Sequence, residues 1–353
     1  MLRYLGRNIE VISGLEPVSI PFETQGNLGS FKAYITDSIF PDETSISSYE
    51  PEEEDVRTDL SRSLSPESSQ NFSSETELEG TSSWLCSCIS KATSEDDNQE
   101  HTIPLCTVKD YESCDCVSSF GNFYSISNDK SSSSSQRQVL QIDVLPERLP
   151  LVECSPSCPC YIHCTNKVTQ RGVQIPVTIR RSRTGIGLGL FYTPSSGDIL
   201  PKGSFVSLYA GEYLTTFQAR LRWSEQERKP QKEGEGNYIL SIRLPGEIWH
   251  IDPRYKGNIG RFLNHSCDPS CVIQIVRWGA DNLPRAAIFA KRDITKDEEL
   301  TFDYANASGS SDFASQTEMI PGEADEDASE KGRNQCLCGS FKCRGWMPFD
   351  ETL

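Results

Sequence analysis

Residues 257–271 read GNIGRFLNHSCDPSC, an arginine, an Asn-His pair and two cysteines in one short run. An imidazole beside a thiol suits metal ligation or hydrogen bonding to a polar ligand. A lone thiol, however, needs partners before it can hold a metal. Those partners lie elsewhere. Of the 14 cysteines, nine fall between Cys86 and Cys164 and three between Cys336 and Cys343. The first twenty residues carry charges throughout and no long apolar core, unlike a signal peptide. No run approaches the ~18 apolar residues of a membrane span. Clustered cysteines in such a chain fit a cytosolic or nuclear protein, as metal ligands rather than disulfides.

The first cluster is Cys86, Cys88, Cys106, Cys114, Cys116, Cys154, Cys158, Cys160 and Cys164. Tetrahedral zinc takes four thiolates, and nine is not a multiple of four. Three zincs need twelve Zn–S bonds, which six single and three bridging thiolates supply with none left over. A trinuclear zinc cluster therefore uses every cysteine; two ordinary sites plus a spare thiol is the alternative. The second cluster, Cys336, Cys338 and Cys343, offers three ligands. A closed site needs a fourth, so Cys267 or Cys271 must return in space. The cysteine of NHSC, Cys267, is the expected ligand. Zinc would then pin the C-terminal tail over whatever the Asn-His region binds, with Cys271 a small apolar filler on a strand.

The elements that must position these groups are mostly strands. Between 174 and 304, FVSLYAG, NYILSIRL, EIWHID, CVIQIVRW, RAAIFAKRDI and ELTFDY are short β-branched and aromatic runs punctuated by Gly and Pro. One helix is expected near 216–228, where Thr215 and Gln218 have capping-box spacing and Phe217 and Leu221 share a face. The fold class is mostly β with short helices. Residues 9–40 read as folded, but 41–83 are rich in Ser, Glu and Asp and are expected to be a disordered insert. A polar insert at 125–138 and an acidic one at 307–333 follow. These segments carry much of the net charge of −17; they read as solvated, or else as tracts that attract a basic partner.

RFLNHSCDPS and EELTFDY together resemble the two core motifs of the SET domain of protein lysine methyltransferases. GIGL (185–188) resembles that family's Gly-x-Gly cofactor loop, and YAGE (209–212) the turn after it. The nine-cysteine cluster is similar to the pre-SET module, and Cys336-x-Cys338-x4-Cys343 to the post-SET module. SGLEPVSIPF (13–22) resembles the segment opening the pre-SET region of the suppressor-of-variegation group, which acts on histone H3. The resemblance implies a knot-like β fold. Its pre-SET zinc module would be 9–166, its SET domain 174–304, and its post-SET tail 334–350, with three zincs in the first and one in the last.

The resemblance also implies a reaction, methyl transfer from S-adenosylmethionine to a lysine of the H3 tail or nucleosome, of lysine-9 or lysine-36 type, in the nucleus on chromosomes. The attacking amine must be neutral, yet free lysine has a pKa of about 10.4. Tyrosines suit the channel, because their rings exclude water while their hydroxyls orient the nitrogen. Tyr304 matches the tyrosine ending the second motif, and Tyr238 another on the cofactor side. Phe302 stands where the family has Phe or Tyr, and phenylalanine implies di- or trimethylation. Gly185, Ile186 and Gly187 would approach the cofactor by their backbone; most members have tryptophan in place of Ile186. Asn264 and His265 match the pair that hydrogen-bonds the cofactor, Arg261 and Phe262 would shape its pocket, and Trp346 would stack near adenine. Leu208 departs from the acid that relatives commonly place there. The alternatives are a zinc-stabilised chromatin adaptor with weak catalysis, favoured mildly by Ile186, and a methyltransferase of non-histone proteins. No sequence-specific nucleic-acid reader is recognised.

Overall fold

The β-branched runs become strands in a computed structural model of the chain, which describes residues 16–21, 31–41, 115–127, 137–145, 150–155, 158, 164–184, 187–227, 236–279, 281–305 and 334–348. The first elements are β1 (Ala33–Tyr34), helix α1 (Asp115–Phe120), β2 (Tyr124–Ile126), β3 (Gln138–Leu140) and β4 (Leu151–Val152). Then come β5 (Val177–Arg181), β6 (Leu188–Tyr192), β7 (Phe205–Leu208), β8 (Glu212–Leu214) and helix α2 (Thr216–Glu227). The last strands are β9 (Leu240–Leu244), β10 (Glu247–Asp252), β11 (Lys256–Gly257), β12 (Asn264–His265), β13 (Cys271–Arg277), β14 (Arg285–Ala290) and β15 (Glu299–Phe302). All belong to the unit formed by Met1–Phe40 and Leu85–Leu353. Among the described residues no helix is long and apolar enough to cross a membrane.

Small sheets share the core. Two have four strands, ordered β12-β15-β6-β5 and β4-β13-β14-β7, and one has three, ordered β8-β10-β9. Strand β14, RAAIFA, is buried at every position because Ala286, Ile288 and Ala290 on one face enter one apolar cluster while Ala287 and Phe289 on the other enter a second. Ile179, Leu190, Val206, Ile251, Ile259, Leu263 and Ile288 bring the three sheets into one cluster. A second cluster, with Phe205 and Phe289, joins β7 and β14 to the β2–β3 hairpin through Tyr124 and Leu140.

The β2–β3 hairpin pairs the two ends of the expected 125–138 polar insert, Ser125 with Val139 and Ile126 with Gln138. Residues 128–136 lie outside the described ones, as do 42–83 and 307–333 of the other two inserts.

Helix α2 is capped as its sequence predicts: the Gln218 amide accepts from the Thr215 N–H and the Thr215 hydroxyl from the Gln218 N–H. The face shared by Phe217 and Leu221 is not its buried one. Phe217 is 75% exposed, whereas Ala219, Arg222 and Gln226, at spacings of three and four, face inward. The cause is electrostatic. Arg222 lies between the buried carboxylates of Glu212 and Asp252, at 2.9 and 2.8 Å, and this pair of ionic contacts sets the helix rotation.

The N-terminal strand is tied into the core. Strand β1 runs parallel to β11, Ile39 exchanges backbone hydrogen bonds with Gly211 and Tyr213, and Asp37 chelates Arg285 Nε at 2.9 Å.

Candidate active site

The site is built where residues 258–265 cross β15. Asn258 is fully buried and caps the short 3-10 turn Ile259–Phe262, its Oδ1 accepting from Gly260 N and Ala210 N. Gly260 is required there, since a Cβ would sit 2.5 Å from the Leu208 carbonyl oxygen. The chain then enters β12, which runs parallel to β15 with Asn264 opposite Thr301 and His265 opposite Phe302. This is the threading that the resemblance implies.

The pairing brings Tyr304, Phe302, His265 and Tyr209 together. Ring centroids are 4.7 Å apart for Phe302–Tyr304, 5.2 Å for His265–Tyr304 and 6.0 Å for Tyr209–Phe302. The Tyr304 hydroxyl donates to the Leu263 carbonyl at 3.0 Å, and that of Tyr209 to the Tyr238 carbonyl at 2.6 Å. Burial drives both phenols well above their ordinary pKa, so each stays protonated. With its proton committed to a carbonyl, each hydroxyl has only acceptor capacity left. Tyr209, absent from the expected site, was signalled by YAGE.

His265 and Asn264 are held from within. The His265 Nδ1 accepts from Tyr304 N at 3.3 Å, and its Nε2 lies 3.3 Å from Cys267 Sγ. This arrangement requires the neutral ring protonated on Nε2. Burial holds the imidazole down at about 4, outweighing the Asp303 carboxylate. The Asn264 amide donates to the Leu188 carbonyl and to Glu299 Oε1, at 3.0 and 2.8 Å. The Asn264 Oδ1 and backbone atoms are then the groups left to touch a ligand. Glu299 also accepts from Arg183 N, which ties the loop before β6 to β15.

Arg261 lies beneath this crossing, 6% exposed and stacked on the rings of Tyr238, Phe31 and Phe262 at 4.4, 4.7 and 5.1 Å. Its Nε and Nη2 have no hydrogen-bond partner among the described residues. Burial lowers its pKa. Two orphaned, buried N–H groups call for an acceptor such as a carboxylate. Gly187, at φ 64° with nothing within 4 Å of an added Cβ, leaves open space at the entry to β6. Gly185 and Ile186 lie outside the described residues.

The sulfur atoms of Cys267, Cys336, Cys338 and Cys343 all lie within 4.8 Å of one another. Cys267 and Cys336 are 3.8 Å apart, the edge of a tetrahedron with Zn–S bonds of ~2.3 Å. The set of four thiols fits a structural zinc. Burial pushes the Cys336 and Cys267 thiols upward. It also acts upward on Cys338, but hydrogen bonds with the backbone of Cys267 and Ser340 prevail and bring that thiol down to about 6. Cys271 is left out, fully buried at the head of β13 with its thiol pushed up to about 12 by burial. Arg344 contacts the core twice, through N–H to Cys267 Sγ at 3.4 Å and Nη2 to Asp303 Oδ1 at 2.6 Å. Trp346 is half-buried and bridges Gln335. The ion pair with Asp303 has no local sequence signal.

In the first cluster Cys116, Cys154, Cys158 and Cys164 are buried together, with Cys116 and Cys158 sulfurs 3.8 Å apart. Cys86, Cys88, Cys106, Cys114 and Cys160 lie outside the described residues. Glu153 anchors this cluster, accepting from Tyr124, Thr169, Gln170 and the Val168 N–H.

The SET domain family profile matches residues 196–305. The human histone-lysine N-methyltransferase SETMAR is 35% identical over 212 residues, 58% of this chain and 28% of that protein. A probable histone-lysine N-methyltransferase of Caenorhabditis elegans, set-23, is 36% identical over 211 residues, 57% of this chain and 74% of that one. The chain thus matches about a quarter of the human relative and three quarters of the nematode one. The crystal structure of the human SETMAR methyltransferase domain superposes with a TM-score of 0.59 at 24% identity, covering 98% of this chain and 99% of that one. KRYPTONITE, crystallised with mCHH DNA, an H3(1-15) peptide and SAH, gives a TM-score of 0.52 at 21% identity over 95% of this chain and 52% of its own.

Proposed function

Because the chain belongs to the SET-domain family of histone-lysine N-methyltransferases, we propose that it methylates a lysine of a histone, with S-adenosylmethionine as methyl donor. The observation that carries this reading is the packing of Tyr304, Phe302, Tyr209 and His265 around the β12–β15 crossing. We read 9–166 as the zinc module, 174–304 as the methyl-transfer domain and 334–350 as the tail that closes it. The protein would work on chromatin in the nucleus.

Bound there, the cofactor supplies an electrophilic methyl group. The Arg261 Nε and Nη2 fit its carboxylate end, and Asn264 Oδ1, Gly187 and Trp346 would border the rest. The remaining work falls to this chain. The aromatic rings remove water from the incoming lysine, which disfavours its charged form. The Tyr304 hydroxyl, its proton on the Leu263 carbonyl, accepts an N–H of the amine and aims the nitrogen lone pair. Asp303 is not the base: its Oδ1 already accepts from Arg344 and Ala305. The peptide would add to β9, the outer strand of its sheet, as an extra strand beside the tail. Histone H3, through a lysine of 9 or 36 type, is the substrate we favour, and the acidic inserts would draw in its basic tail.

Incubating the purified chain with labelled S-adenosylmethionine and histone octamers tests the reading. Label on H3 is expected. No transfer to any protein would leave an adaptor role, and label only on other proteins would redirect the substrate assignment.

Methyl count is a separate matter. Phe302 is buried and meets Tyr209 edge-on, so no hydroxyl at residue 302 competes for space or holds a water beside the amine. Di- or trimethyl product is expected. The variant Phe302→Tyr should stop largely at monomethyl-lysine, read by mass spectrometry of the product peptide; an unchanged distribution would refute the role given to Phe302.

A further inference from the structure

Away from the Tyr304 cluster, a cavity of about 200 Å³ opens where the start of β3, the turn after Cys164 and the start of β7 meet. Arg137, Gln138, Val168, Arg171, Gln174 and Phe205 line it, two guanidinium groups and no acid. Arg171 is fixed from behind by neutral acceptors, its Nη1 donating to Gln138 Oε1 at 2.6 Å and its Nη2 to the Cys164 carbonyl at 2.7 Å. The Gln138 amide is itself held by the Thr165 carbonyl. Three of the five Arg171 N–H donors therefore remain. Arg137 makes no side-chain hydrogen bond or ion pair among the described residues.

Several other arginines are neutralised by acids. Acids outnumber bases by 51 to 34, and Arg180, Arg222, Arg277, Arg285, Arg292 and Arg344 each meet a carboxylate. Here two arginines line one concave site, and the carboxylates behind its wall, Glu16 against Gly172 and Glu153 on the Val168 N–H, are already engaged by Tyr34 and Val173 and by Tyr124, Thr169 and Gln170. Its size is below the ~300 Å³ at which pockets for drug-sized ligands begin, so it admits one compact group. The N–H donors of two guanidinium groups suit a tetrahedral dianion. The apolar faces of Val168 and Phe205 suit the carbon stem that carries it. A nucleic-acid backbone is the weaker fit, since it needs a long track of cations and this chain is strongly acidic.

The geometry points to a binding site for a phosphorylated side chain of a peptide, held by Arg137 and Arg171 and separate from the methyl-transfer site. Its occupancy does not depend on the activity proposed above. Calorimetric titration with a Gly-Gly-phosphoserine-Gly-Gly peptide, its unphosphorylated twin, inorganic phosphate and a short DNA duplex tests it. The phosphopeptide is expected to bind at least about tenfold more tightly than its twin. Arg137→Gln should remove that preference and Arg137→Lys restore part of it, with zinc content and melting temperature unchanged in both. Equal binding of the two peptides overturns the proposal, as does full affinity in Arg137→Gln. Tighter, Arg137-dependent binding of the duplex, or of inorganic phosphate over the phosphopeptide, would overturn the choice of a peptide.

Discussion

Tyr304→Phe is expected to lower kcat about a hundredfold or more, with a much smaller change in the KM for the peptide. The substitution keeps the ring, and with it the contacts to Phe302 and His265. It deletes the hydroxyl that donates to the Leu263 carbonyl. What disappears is the acceptor proposed to align the amine, and loss of alignment by ~1 Å costs about a hundredfold in such reactions. The stability change should be modest, about 1–3 kcal/mol for one buried carbonyl left unsatisfied. A melting curve beside the kinetics separates the two effects. Near-normal turnover in a folded variant would remove Tyr304 from the reaction.

Cys343→Ser should abolish turnover and lower the zinc content by one equivalent, while metal expected at the Cys86–Cys164 cluster stays in place. The reason is a comparison of magnitudes. Without the metal, segment 334–348 keeps the Arg344–Asp303 pair, partly exposed and worth about 1 kcal/mol or less, and the exposed Lys342–Asp268 pair. A four-thiolate zinc contributes on the order of 10 kcal/mol. Its loss frees the tail and also the Cys267 sulfur against which the His265 ring is set. Metal analysis of the purified variant, beside its activity, decides the matter. Full activity with one zinc fewer would show that the tail does not close the site.

How legible all this was varies with the physics. Strands β10, β13, β14 and β15 were readable because β-branched residues crowd short runs between turns. The return of Cys267 to the terminal trio was readable because three thiols do not close a zinc site. The β5–β6 hairpin escaped notice: burial runs unbroken over Val177–Ile179 and Gly189–Tyr192, so no alternation marks them. Strand β12 has two residues and exists only through its pairing with β15. The buried face of α2 was not legible in apolar spacing, because it holds Arg222 between Glu212 and Asp252. Arg261 was legible as a site residue, but its stack on Phe31 joins two distant segments. Contacts of that kind come from topology, not local pattern.

The strap formed by β1 and Asp37 bears on how the protein is made. Asp37 and its partner Arg285 are 248 residues apart, and β1 waits for β11. On the ribosome β1 therefore emerges long before β11 and Arg285. Closing such distant contacts is slow, and the unpaired segment is open to misassociation meanwhile. A nascent chain arrested before residue 256 should leave this strand open to protease, and full-length release should protect it.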